Sequence, residues 1–132
     1  MTVVDASALV AFLFDSRAHP RVEESIRGDR GQAAVPHLCD LEVTSAVRSM
    51  VQRRHSALRD APERLALYRE LPLERFDHLP LLDRVWALRD NFTPYDAVYV
   101  ALAEALRAPF LTADARLADA VSRFTGVEAL LT

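Results

Sequence analysis

The chain has 132 residues, 51% of them apolar, and a net charge of −3, which suits one domain spanning 1–132 with a substantial core. No apolar run reaches the ~18 residues of a membrane span, and no basic flank precedes the first apolar stretch, so neither a span nor a signal peptide is expected. Cys39 is the only cysteine, which excludes an internal disulfide framework and suits the cytoplasm.

In chain order, Val3-Val4 reads as a short buried strand that runs into Asp5. From Ser7 to Phe14 the pattern is helical and apolar almost all round, as for a helix packed on a sheet. Asp15 to Pro20 reads as a turn. Pro20 starts a short polar helix from Arg21 to Arg27, which Gly28 and Gly31 end. Ala33-Ala34-Val35 is a second strand, stopped by Pro36. A long helix from Leu38 to Arg53 follows, its core stripe made by Val43, Ala46, Val47, Met50 and Val51. Pro62 starts a helix to Glu70, which Pro72 ends. Arg75 to His78 is a third strand. From Leu81 to Asp90 a helix carries Leu81, Leu82, Val85, Trp86 and Leu88 as its apolar residues, with Asp83, Arg84, Arg89 and Asp90 solvated. A loop from Asn91 leads into a helix from Asp96, capped by Thr93 or Asp96. Phe110-Leu111-Thr112 is a fourth strand, a last helix follows Asp114, and Gly126 to Leu130 supplies a final edge strand. Strands alternating with helices predict an α/β fold: a parallel sheet of four to five strands covered on both faces.

Four acids fall at element junctions: Asp5 after the first strand, Glu42 early in the long helix, Asp96 at a helix start and Asp114 after the fourth strand. Each alone has a structural explanation, because Asp is a favoured N-cap and an early acid complements the helix dipole. Together they point elsewhere. The strands of a parallel sheet end along one edge, where ligands bind. Four carboxylates at that edge repel one another unless a cation sits among them. Oxygen donors without His or Cys select a hard ion, Mg²⁺ or Mn²⁺, and such an ion suits phosphodiester hydrolysis by water. Asp40 competes with Glu42 for the third place. Arg48, Arg53 and Arg54 could track a nucleic-acid backbone, and Tyr95 and Phe92 could stack on a base. A solvated face and core packing are the plain alternatives for these residues.

The residues Val4-Asp5-Ala6-Ser7-Ala8-Leu9, Pro36 with Leu41-Glu42-Val43, Thr93-Pro94-Tyr95-Asp96-Ala97 and Leu111-Thr112-Ala113-Asp114 together resemble the PIN-domain nucleases, in particular the VapC-type toxins of type II toxin–antitoxin pairs. The resemblance implies a three-layer α/β sandwich and an endoribonuclease that uses Mg²⁺ or Mn²⁺. It makes Asp5 and Asp96 the principal ligands, with Glu42 and Asp114 completing the pocket directly or through water. Ser7 and Thr112 then support the carboxylates by hydrogen bonds. It also implies a small VapB-like antitoxin that fills the groove, and a homodimer. Arg116 stands where some relatives carry a further acid, which favours one metal over two. Two further readings belong to the same family. An inactive PIN binding module should have lost an acid, and all four are present; a housekeeping RNA-processing nuclease is separated by the absence of a neighbouring antitoxin gene. A phosphotransfer receiver wants a lysine, and the chain has none; a haloacid-dehalogenase-type phosphatase wants an acid where Ser7 stands.

Overall fold

The computed structural model describes residues 1–29, 31–53 and 59–132. Five strands, β1 (Thr2–Val4), β2 (Ala33–Pro36), β3 (Leu73–Phe76), β4 (Phe110–Thr112) and β5 (Ala129–Leu131), form one sheet in the order β3-β2-β1-β4-β5. All four pairings are parallel, with Thr2 opposite Ala33 and Val3 opposite Phe110 at the centre. The helices are α1 (Ala6–Phe14), α2 (Pro20–Arg27), α3 (Leu38–Arg53), α4 (Ala61–Glu70), α5 (Leu82–Ala87), α6 (Pro94–Leu106) and α7 (Ala115–Phe124).

Chain direction decides the layers. From β1 through β2 to β3 the chain steps one way across the sheet, and from β3 through β4 to β5 it steps back. Parallel crossovers are right-handed, so α1 to α4 cover one face and α5 to α7 the other. The packing agrees: α1 rests on α2, α3 and α4, while α6 rests on α5, β1, β2 and β4. Central parallel strands are buried on both sides, which is why Val3, Val4, Phe110 and Leu111 have no exposed surface. The direction reverses between β1 and β4, and their carboxyl ends flank the resulting crevice.

Three expected elements differ from those observed; the final edge strand, expected from Gly126 to Leu130, is confined to Ala129–Leu131. The third strand lies earlier, at Leu73–Phe76, paired residue for residue with Ala33–Pro36. Pro72 both ends α4 and precedes a strand it need not join. The helix expected from Leu81 to Asp90 is shorter: a 3₁₀ turn over Leu79–Leu81, then α5, which ends at Ala87. Only Val85 and Leu88 of its apolar residues are buried. Trp86 is 68% exposed and stacks under the Arg89 guanidinium, 4.6 Å from the ring centroid.

Candidate active site

Asp5 and Thr112 are the buried polar side chains of the core among the described residues, and they bond to each other. Asp5 leaves β1 directly at the crevice, its own N–H donating to the Leu111 carbonyl of β4 at 3.0 Å. Its Oδ1 accepts from the Ala8 N–H at 2.9 Å, which caps α1, and from Ser7 Oγ at 2.7 Å. Its Oδ2 accepts from Thr112 Oγ1 at 2.6 Å. Ser7 and Thr112 each spend their single proton on Asp5. Their oxygens in turn accept the Ala113 and Asp114 N–H groups, both at 3.0 Å. The β4–α7 turn is thereby tied to the Asp5 carboxylate through two hydroxyls. A carboxylate offers about four acceptor positions, so Asp5 keeps one, on Oδ2.

The other three acids stand around it. Asp96 is half-buried in the first turn of α6; Thr93 caps that helix by accepting the Asp96 N–H at 3.2 Å. Glu42 is the fifth residue of α3, and its Oε1 accepts from Tyr99 Oη at 2.7 Å. Asp114 is exposed and caps α7, with Oδ1 accepting the Arg116 and Leu117 N–H groups at 2.9 and 3.2 Å.

The carboxylates feel one another. Burial pushes the Asp5 carboxyl above its ordinary range; three hydrogen bonds pull it back in part, and the Asp96 charge adds to the rise. Burial likewise raises Glu42, with Asp96 and Asp5 adding and Tyr99 opposing. Asp96 is raised by burial first and then by the charge of Asp114. Among the described residues none of the four has an ion-pair partner within 4.0 Å. Nor, among those residues, do three ligating groups converge on one point as they would around a bound ion. The donor set is all oxygen and lacks its own cation, and that fits a hard divalent ion.

Asp40, the rival of Glu42, is engaged elsewhere. It accepts from Tyr68 Oη at 2.6 Å and from Arg75 Nε at 3.0 and 3.1 Å. Burial alone would raise its carboxyl, but the Arg75 and Tyr68 bonds outweigh burial and lower it. Arg48 and Arg53 are both exposed on α3. At ~1.5 Å per residue they lie ~9 and ~16 Å along the axis from Glu42. Arg53 returns to the azimuth of Glu42 after about three turns, and Arg48 lies off it. Arg54 is outside the described residues. Phe92 is buried at 6% exposure, so core packing is its role, whereas Tyr95 beside Asp96 is 60% exposed.

Tyr99, whose hydroxyl reaches Glu42, is the site residue that the sequence did not single out. Its signal was a phenol in an otherwise small and apolar helix stretch, Ala97 to Ala103, where a buried hydroxyl needs a partner. Burial pushes the Cys39 thiol up to about 11.

A family model described as the PIN domain matches residues 2–122. Ribonuclease VapC9 of Mycobacterium tuberculosis is 42% identical over 120 residues, covering 90% of each chain. A crystal structure from Pyrobaculum aerophilum superposes with a TM-score of 0.72 at 22% identity, over 97% of this chain and 81% of that one. VapBC2 from Rickettsia felis, bound to a DNA fragment from its promoter, gives 0.68 at 12% identity, over 98% and 97%.

Proposed function

This chain belongs to the PIN-domain family, and from that premise we propose that it is an endoribonuclease, the toxin of a toxin–antitoxin pair. It acts in the cytoplasm on RNA with Mg²⁺ or Mn²⁺, as a homodimer, held in check by a small VapB-like antitoxin. The observation that carries the reading is Asp5. A carboxylate that is 5% exposed, oriented by three donors and without a cationic partner among the described residues sits at the switch point of the sheet. Its hydrogen bonds account for the helix cap; the buried negative charge and the acceptor position left on Oδ2 suit a cation.

Asp5 and Asp96 are the principal ligands in this reading. Glu42 and Asp114 complete the pocket through the oxygens that Tyr99 and the α7 cap leave over. When bound, the divalent ion supplies the charge that offsets the scissile phosphate and acidifies the attacking water. The protein's own part is orientation. Ser7 and Thr112 fix both oxygens of Asp5, and Thr93 fixes the start of α6 that presents Asp96. Arg48, Arg53 and Arg54 are offered to the RNA backbone. An acid cluster without a cation also suits a partner that brings one on a side chain, which is how an antitoxin arginine would silence it. No helix among the described residues is long and apolar enough to cross a membrane.

The test is cleavage of RNA by purified protein. Cleavage should stop in EDTA, return with Mn²⁺ or Mg²⁺, and disappear in Asp96→Asn. Induction should arrest growth unless the product of a small neighbouring gene is co-expressed. Cleavage that persists in EDTA would contradict the metal reading. Harmless induction with normal cleavage would favour an RNA-processing enzyme.

A further inference from the structure

Glu42 is the one acid of the four that is held by a residue from the opposite layer. It stands on α3, on one face of the sheet, and its only side-chain hydrogen bond among the described residues comes from Tyr99 of α6, on the other. We propose that Tyr99 is the positioning residue of Glu42: its hydroxyl, bonded to Oε1, fixes the direction of the carboxylate and leaves both acceptor positions of Oε2 for a cation.

The geometry favours a fixed donor. The ring is 2% exposed and packs against Phe110 of β4, centroids 6.3 Å apart and planes tilted by 45°. A ring wedged at its base swings its hydroxyl little, so the 2.7 Å bond sets where the Glu42 carboxylate points. Tyr99 also follows Asp96 by three positions on α6, and such residues share a helix face. One face therefore delivers a proposed ligand, Asp96, and the brace for another. Ser7 and Thr112 do the corresponding work for Asp5 with short hydroxyl side chains. At Glu42 the hydroxyl comes from α6, carried by a phenol. Partners of this kind commonly alter metal affinity by about 10–100-fold.

The inference rests on the metal reading above, and Tyr99→Phe tests it. The variant keeps the ring and removes only the hydroxyl. Calorimetric titration with Mn²⁺ should show binding weakened by about tenfold, while the melting temperature in EDTA changes little and RNA cleavage recovers at saturating Mn²⁺. In a Glu42→Gln background the added Tyr99→Phe change should have no further effect on Mn²⁺ binding. A purely structural tyrosine would lower the metal-free melting temperature and leave Mn²⁺ affinity unchanged, and that result overturns the inference. An additive loss in the double variant overturns it too. If Tyr99→Phe fails to fold, 3-fluorotyrosine can be placed at the three tyrosines of the otherwise unaltered chain. The ¹⁹F resonance of Tyr99 should then move on adding Mg²⁺ and stay fixed in Glu42→Gln; a resonance unmoved in both refutes it. If the unaltered protein binds no Mn²⁺, the metal reading and this inference fall together. If it binds Mn²⁺ and Tyr99→Phe binds equally well, this inference falls alone.

Discussion

Asp5→Asn separates the structural work of Asp5 from its proposed chemical work. Asn is as good an N-cap as Asp, and its oxygen can keep the Ala8 and Ser7 bonds now made to Oδ1. Its amide then meets Thr112 Oγ1, which can turn to accept. The change forfeits charge-assisted strengthening of three bonds, and it also removes the cost of burying a carboxylate that is 5% exposed. These terms oppose each other and are each about 1–2 kcal/mol. The net effect in EDTA should stay within about 1 kcal/mol, a few degrees for a domain of this size. Metal is different. A ligand at about 100 times its Kd stabilises by about 2.7 kcal/mol, which is about 10 °C here. Melting should therefore show a rise of about 10 °C with Mn²⁺ in the unaltered protein and little or none in Asp5→Asn, whose RNA cleavage should be lost. A full Mn²⁺ shift in Asp5→Asn, or a collapse of its metal-free melting temperature, would refute the reasoning.

Acidification should stabilise the metal-free protein. Asp5, Glu42 and Asp96 hold protons more tightly folded than unfolded. Their contribution is full below the ordinary carboxylate pKa values and is lost as pH rises through the raised ones. In EDTA, melting temperatures should climb as pH falls from neutrality toward the ordinary carboxylate range, less steeply in Asp5→Asn; equal slopes would count against the shared field. Asp40 works the other way: its lowered carboxyl gives stability that is lost only as pH falls through its folded value. Asp40→Asn should cost about 1 kcal/mol, because the Arg75–Asp40 pair is partly exposed, and should leave cleavage intact, whereas lost cleavage would return Asp40 to the site. Arg107 closes α6 with φ 52° and ψ 43°, a left-handed conformation that suits glycine. Arg107→Gly should raise the melting temperature by about 2–4 °C; a fall would mean the side chain itself matters.

The parts of the fold legible in the sequence were those where local chemistry and burial agree. Val3-Val4 and Phe110-Leu111 are fully buried central strands, and a continuous apolar run has no other comfortable place in a parallel sheet. Leu38 and Arg53 bound α3 as expected because Pro36 before it and a long core stripe after it admit little else. The misplaced third strand is an edge strand with only Leu73 buried, so burial could not fix its register. Trp86 was misread for a related reason: an apolar residue at helical spacing reads as core whether or not the fold brings another layer to cover it. At the site, junction position singled out the four acids as candidates, and the resemblance supplied the hydrogen bonds of Ser7 and Thr112 to Asp5, which the structure contains. Only the resemblance favoured Glu42 over Asp40, since the physical difference lies in Arg75, Tyr68 and Tyr99, which reach them from other elements. Those contacts leave no periodicity behind.

Everything turns on whether one divalent ion lies among these carboxylates. Crystals soaked in Mn²⁺ and measured at the manganese absorption edge answer that directly. The expected result is an anomalous peak between the carboxylates of Asp5 and Asp96, absent from Asp5→Asn crystals. A peak that avoids both residues, or none under conditions where the protein cleaves RNA, would contradict it.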